Sequence, residues 1–282
     1  MLKIALPNKG SLSQDSVELV KSAGYFCKRT GRELMVMDLE NDIEFVFLRP
    51  RDIAVYVGRG ILDLGITGRD LALDSGTDIY EVFGLGFGKS SFCYAAKKGE
   101  IDSVKELDRK RIATSYTNLV RQDLDKTGIS ADIVKLDGAV EISIELGVAD
   151  AIADVVETGK TMKEAGLVTI GSPILKSEAV LICRNSDRMS EKDIYIFTRR
   201  IKGILTAREY VIVEYDIEKK FLEKAVSITP GIESPTVSPL SKEGWIAVKS
   251  MVLKKNVNNM MDELADLGAR GIIVSDIRTC RV

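Results

Sequence analysis

Ala151-Ile-Ala-Asp-Val-Val-Glu-Thr-Gly-Lys-Thr161 runs from an apolar, β-branched segment into a short polar turn, and Thr161-Met-Lys-Glu-Ala-Gly-Leu167 continues it as a helix start. Strand, loop and helix N-terminus in that order make a phosphate cradle, because unpaired N–H groups and the positive end of the helix dipole converge on one spot. Gly159 lets the backbone approach closely, Thr158 and Thr161 offer hydroxyl donors, and Lys160 adds a point charge. The turn is not a Walker A loop, since Asp154 stands where that motif needs its first glycine. An acidic residue at such a strand end suits a ligand that carries magnesium or ribose better than a bare phosphate. The same residues also fit an ordinary β-α turn capped by Thr158, and the segment alone does not choose between the two.

The chemistry that is missing narrows the choice further. The 282 residues include no histidine, which removes Ser-His-Asp and Cys-His catalysis and every histidine-ligated metal site. Any metal is then expected to be a hard, oxygen-liganded ion such as magnesium. Cys27, Cys93, Cys183 and Cys280 lie far apart with no Cys-x-x-Cys pair, and read as reduced structural thiols. A net charge of −2 gives no basic excess for nucleic acid. The apolar run after Met1 is too short for a signal peptide, and no segment approaches the length of a membrane span. A cytoplasmic protein of two or three domains is expected.

The elements that must position this chemistry alternate. Leu2–Pro7 reads as a strand, Asn8–Ser11 as a turn carrying Lys9 and Gly10, and the pattern through Val17, Leu19 and Val20 to Gly24 as a helix capped by Ser11 or Ser13. Glu44–Arg49 is a strand, Pro50 opens the helix Arg51–Gly58, and Asp63–Thr67 returns as a strand before Gly68-Arg-Asp-Leu71 starts another helix. This alternation predicts an α/β domain with a largely parallel sheet. Ile79 to Lys97 is extended and glycine-rich, as expected of strands crossing from one lobe to another. A second α/β unit follows: strand Arg111–Tyr116, helix Val120–Lys126, strand Ile133–Leu136, helix Ala139–Leu146 and the strand that enters the opening motif. Glu178–Cys183 is a return strand and Lys192–Arg208 a long helix.

Arg51 to Arg69 and Glu141 to Lys160 each run helix, Gly-x-x-Asp, apolar strand, then Thr-Gly and a basic residue. Two ordinary helix-turn-strand units could match in this way. Two similar lobes facing each other across a cleft would match too, with ligands outside the carboxyl ends of the strands. The last segment differs: strand Tyr210–Tyr215, helix Glu218–Val226, a strand near Thr236, strand Trp245–Val252, helix Val257–Leu267 and strand Gly271–Ser275 give the βαββαβ order of a ferredoxin-like domain.

Leu6-Pro-Asn-Lys-Gly10, Phe47-Leu-Arg-Pro50, Leu64-Gly-Ile-Thr-Gly-Arg-Asp70, Asp137-Gly-Ala-Val-Glu141, Ala153-Asp-Val-Val-Glu-Thr-Gly159 and Ser275-Asp-Ile-Arg278 are weak singly. In this order along the whole chain they resemble the ATP phosphoribosyltransferases in their long form, the first enzymes of histidine biosynthesis. The resemblance implies transfer of the phosphoribosyl group of phosphoribosyl pyrophosphate to N1 of ATP, with magnesium required and pyrophosphate released. It also implies two periplasmic-binding-protein-like lobes around a cleft and a ferredoxin-like regulatory domain that binds histidine and shifts active dimers toward inhibited hexamers. Lobe I would be discontinuous, 1–90 plus about 182–208, with lobe II at 91–181 and the regulatory domain at 209–282.

By the same resemblance Lys9 and Arg49 would neutralise the leaving pyrophosphate, and Asp70, Leu71, Ser90 and Tyr116 would frame the nucleotide. Glu157, Thr158, Gly159, Lys160 and Thr161 would hold the ribose phosphate. Asp154, Glu157 and Glu141 would face the ribose hydroxyls, with Asp154 and Glu141 as magnesium ligands. Asp216, Ile232, Ser234, Thr236, Gly271 and Ser275 would form the histidine site. Each of these has a structural alternative: Lys9 a solvated loop charge, Arg49 a surface strand end, Asp70 a helix cap, Tyr116 a packed ring, the six late residues strand-end turns. A two-lobed cytoplasmic sensor for a phosphorylated ligand, without catalysis, remains the main rival. An adenine-salvage type of phosphoribosyltransferase is disfavoured, because Asp154 and Glu157 are separated by two valines instead of forming an adjacent acidic pair.

Overall fold

The computed structural model describes residues 1–29, 31 and 33–281. In chain order the elements are β1 (Leu2–Pro7), α1 (Ser11–Ser22), β2 (Met35–Asp38), β3 (Ile43–Leu48), α2 (Pro50–Gly58), β4 (Leu64–Gly68), α3 (Arg69–Asp74), β5 (Tyr80–Gly84) and β6 (Ser90–Lys97). They continue with β7 (Arg111–Thr114), α4 (Thr117–Thr127), β8 (Asp132–Lys135), β9 (Ala151–Val156), α5 (Lys160–Glu164), β10 (Leu167–Ser177) and β11 (Ala179–Cys183). The last are α6 (Lys192–Glu209), β12 (Tyr210–Glu218), α7 (Leu222–Ile228), β13 (Thr236–Pro239), β14 (Trp245–Leu253), α8 (Val257–Asp266) and β15 (Arg270–Asp276).

Three sheets organise these elements. The first has the order β2-β3-β1-β4-β11-β5 and the second β10-β6-β9-β7-β8. Only the middle of each is parallel: β1 lies between β3 and β4, and β7 between β8 and β9. β2, β5, β6, β10 and β11 pair antiparallel with their neighbours. β4 and β11 are buried along their whole length, as strands covered on both faces must be, which is why they read as unbroken apolar runs. The chain passes between the two α/β lobes twice, outward after β5 and back through β10 into β11. The return strand, expected at Glu178–Cys183, runs Ala179–Cys183.

By its internal contacts the chain divides into one unit of Met1–Glu18 with Tyr25–Ile194, holding both α/β sheets, and another of Leu19–Gly24 with Tyr195–Val282. The second unit carries the sheet β13-β14-β12-β15, the ferredoxin-like order for βαββαβ. β12 and β14 alternate buried and accessible residues, and the buried set (Val213, Tyr215, Val248) packs with residues of α7 and α8. That alternation made the strands legible.

The structure departs from the sequence reading in its helices, its edge strands and the direction of its sheet. Ala139–Leu146 is not a helix: only Val140–Ile142 forms a single 3-10 turn. Ala139 enters it in a left-handed conformation, and the buried Ser143 hydroxyl donates back to the Val140 carbonyl at 2.6 Å, competing with helical pairing. The edge strands β2 and β10 escaped the sequence reading. β10 contains a register shift between Ile170 and Leu175, and its burial follows no period of two. The first sheet is mixed, not largely parallel, because β11, supplied late by the chain, enters it antiparallel beside β4. Cys27, Cys93 and Cys183 are buried and Cys280 is half-buried, and none of the four forms a disulfide. Among the described residues no helix is long and apolar enough to cross a membrane.

Candidate active site

The carboxyl ends of three adjacent parallel strands carry the first lobe's candidates. β1 and β3 pair to Pro7 and Leu48, and the Asn8 N–H donates to the Leu48 carbonyl at 2.8 Å, so Lys9 and Arg49 leave neighbouring strand ends side by side. Both are exposed. Arg49 occupies the N-cap position of α2, with Pro50 just inside the helix, and makes no capping side-chain bond. Asp70 stands in the first turn of α3, on the far side of β1, and is buried. It does not cap its own helix, whose N-cap is Gly68. Its Oδ1 accepts the Ser177 hydroxyl at 2.6 Å while its N–H donates to Ser177 Oγ at 3.0 Å. Ser177 comes from the crossover between lobes.

The second lobe answers with its own parallel ends. Tyr116 follows β7, Glu141 lies in the turn that follows β8, and Asp154 to Thr161 close β9, with Ser90 beside them at the start of antiparallel β6. Tyr116 is a packed ring that also faces the charged groups between the lobes. Its ring lies 5.0 Å from that of Phe92, and burial together with the nearby Asp70 carboxylate drives the phenol well above its ordinary range. Leu71 packs against the apolar core of the second lobe.

Asp154 is half-buried, and desolvation is the main reason its carboxyl titrates above the usual range. Glu141 and Asp70 push the same way, while the Val155 N–H, donating at 2.8 Å, and the charge of Arg51 oppose them. Carboxylates from both lobes thus share one region in which negative charge is already costly. Beyond Asp154 the chain opens into an exposed turn. Gly159 has φ +72°, a conformation that favours glycine, and serves as N-cap of the five-residue α5, which starts at Lys160 and not at Thr161. Thr158 contributes only a 3.5 Å contact from its Oγ1 to the Lys160 N–H, too long for a firm cap. Residues 155–162 line a cavity of about 320 Å³.

Sequence reasoning missed Arg51, Asp74 and Ser177. Arg51 donates to Asp74 at 2.7 Å and lies 4.6 Å from the Tyr116 ring centroid. It sits one residue after a helix-starting proline and read as helix body; Ser177 lies in the unrecognised β10. No sequence signal marked either.

In the second unit a cavity of about 430 Å³ opens on the sheet face not covered by α7 and α8, lined by Asp216, Thr236 and Gly271 together with Glu214, Lys249 and Ile273. Ile232, Ser234 and Ser275 do not line it. Ser275 follows on the same strand as Ile273, while Ile232 and Ser234 belong to the loop before β13.

Comparison with known proteins decides the family. A family model described as ATP phosphoribosyltransferase matches residues 49–203, and one described as HisG, C-terminal domain, matches 207–279. The chain belongs to the ATP phosphoribosyltransferase family. The ATP phosphoribosyltransferase of Salinibacter ruber is 58% identical over 283 residues, covering all of both chains, and that of Pseudarthrobacter chlorophenolicus is 56% identical over 284 with the same coverage. A solved ATP phosphoribosyl transferase (HisG:HisZ) complex from Thermotoga maritima contains a chain 27% identical, with a TM-score of 0.64, covering 73% of this chain and 98% of that one. As an ATP phosphoribosyltransferase of the long form, the enzyme moves the phosphoribosyl group of phosphoribosyl pyrophosphate to ATP, the first step of histidine biosynthesis. The rival of a non-catalytic sensor is thereby set aside.

Proposed function

We propose that the transfer takes place between the two sets of strand ends, with substrate groups divided between the lobes. The observation that carries this is the convergence of Asp70, Tyr116 and Asp154 from three strands of two lobes. The exposed turn 157–161 holds the ribose phosphate on its N–H groups and hydroxyls. Asp154 and Glu157 take the ribose hydroxyls. Adenine N1 attacks C1 of ribose with its own lone pair as the C1–O bond breaks and its electrons leave on pyrophosphate. No protein base is needed, which suits a chain without histidine. Charge builds up on the pyrophosphate, beside Lys9 and Arg49, and the opposite charge on sugar and base, beside the carboxylates Asp70 and Asp154. Asp70, Leu71, Ser90 and Tyr116 frame the nucleotide.

Among the described residues no group of three or more carboxylates is arranged to cage a metal. The donor set instead fits magnesium held by one or two carboxylates and mostly by substrate phosphates, with Asp154 and Glu141 as the protein's share. The ion would neutralise pyrophosphate oxygens as they gain charge.

We further propose histidine inhibition through the second unit, where Glu214 and Asp216 suit the effector's amino group and Thr236 its carboxylate, and a homo-oligomer that shifts from dimer to hexamer as histidine binds. The discontinuous first lobe, 1–90 with about 182–208, is supported by the position of β11 inside the first sheet. A cytoplasmic location fits a biosynthetic enzyme. Formation of phosphoribosyl-ATP should fall when free histidine is added, and Asp216→Ala should lose that response while keeping uninhibited turnover. Full inhibition of the Asp216→Ala enzyme would rule out this site.

A further inference from the structure

Helix α4 has no cap of its own. Its N-cap residue, Tyr116, makes no side-chain bond to the first turn, although the first N–H groups of a helix need acceptors. They find one in the other lobe. Asp74, at the end of α3, accepts the Asn118 N–H at 3.0 Å and the Leu119 N–H at 3.2 Å on Oδ1, and its main-chain carbonyl accepts Asn118 Nδ2 at 2.7 Å. Its Oδ2 accepts from Arg51 at 2.7 Å. The Asp74 side chain is 7% exposed, so this carboxylate is spent entirely on protein partners. Arg51 in turn covers the Tyr116 ring at 4.6 Å and reaches Ser115 Oγ at 3.5 Å.

A serine or aspartate at position 116 would cap α4 locally. Position 116 instead holds a ring that packs on Phe92 and lies under Arg51, and the capping task is handed to the other lobe. We propose that Asp74 and Arg51 are positioning residues for the transfer. Asp74 caps α4 from the opposite lobe and Arg51 ties that cap to the face of Tyr116, so the nucleotide wall is complete only where the lobes meet. This rests on the reading of Tyr116 and Asp70 as the nucleotide wall. The turn 157–161 makes none of these contacts, and Arg51 reaches the phosphoribosyl side only through its charge on Asp154, so phosphoribosyl pyrophosphate should sense the clasp much less than ATP does.

The test measures KM for each substrate, and the melting temperature, in the full-length enzyme. Asp74→Ala should raise KM for ATP about tenfold, the factor that matches the usual worth of a cap, with KM for phosphoribosyl pyrophosphate within about twofold. Asp74→Asn, which still accepts both N–H groups, should recover much of the loss. Arg51→Met, which leaves the cap in place, should raise KM for ATP about threefold and decides the matter if Asp74→Ala does not fold. A lower melting temperature with both KM values unchanged overturns the proposal, as does an equal rise in both. Tyr116→Ala separates the two levels. If it leaves KM for ATP unchanged, the nucleotide wall itself is wrong; if it raises KM for ATP while the Asp74 and Arg51 variants do not, the wall stands and the clasp falls.

Discussion

Thr67-Gly68-Arg69-Asp70 and Thr158-Gly159-Lys160-Thr161 are nearly the same tetrapeptide, each at the exit of a parallel strand, and the molecule builds them in opposite ways. In the first, each polar side chain has a protein partner. Thr67 Oγ1 donates to the Pro50 carbonyl at 2.7 Å, Arg69 forks onto Glu81 at 2.7 and 2.9 Å and touches Glu178 at 3.4 Å, and Asp70 holds Ser177. Gly68 is extended, at φ −73°. In the second, Gly159 is left-handed, its polar neighbours face solvent, and the contacts are long: 3.5 Å within the turn and 3.9 Å from Lys160 to Glu164. A turn whose side chains are paired within the protein is set before any substrate arrives, and one whose donors are left to solvent leaves them for a ligand to satisfy.

The sharpest break of this contrast is Gly159→Val. A Cβ there meets nothing closer than Val156 Cγ1 at 3.7 Å, so the cost lies in the φ of +72°, which a β-branched residue resists. The turn should rearrange and KM for phosphoribosyl pyrophosphate should rise about a hundredfold, while the unfolding midpoint drops by no more than about 5 °C. Parallel losses in affinity and stability would mean that the second turn, too, is held by the protein. Gly68→Ala should do the reverse. Its Cβ would stand 2.5 Å from Asp70 Oδ1, which Ser177 holds in place, so overpacking should cost about 2 kcal/mol of stability in denaturant titration. A Gly68→Ala enzyme as stable as the parent would show that Asp70 is free to move.

Asp154 supplies the smallest effect on stability, and one of opposite sign. Its folded-state pKa lies above the ordinary 3.8, so the protonated carboxyl is favoured in the fold. That contribution is fully present below pH 3.8 and lost as the pH rises through the folded value. Asp154→Asn should therefore raise the melting temperature by about 2 °C at pH 8, with the gain shrinking on acidification, while turnover falls sharply. A stabilisation independent of pH would mean that the charge of Asp154 is not what the fold resists.

These cases show what the sequence could convey. The strand, turn and helix start around 151–164 were legible because their pattern is local: a glycine, hydroxyls and a lysine behind an apolar strand. The ferredoxin-like order was legible because one-faced strands alternate. Asp74, Arg51 and Ser177 were not, because each acts through a residue at least 23 positions away, and a capping aspartate at the end of one helix that serves another leaves no local pattern. β10 was hidden for a related reason: its bulge breaks the period that marks a strand. The Ala139–Leu146 pattern misled in the other direction, since periodicity carried no sign of the Ser143 back-bond.

The position of β11 also bears on how the chain is made. It joins β4 to β5, and all five of its residues are fully buried. A nascent chain emerging from the ribosome has β4 and β5 in hand long before β11 is translated, and until then both carry open edges. The first lobe therefore cannot close its sheet until the whole second lobe has been synthesised, so the lobe made first is the lobe finished last.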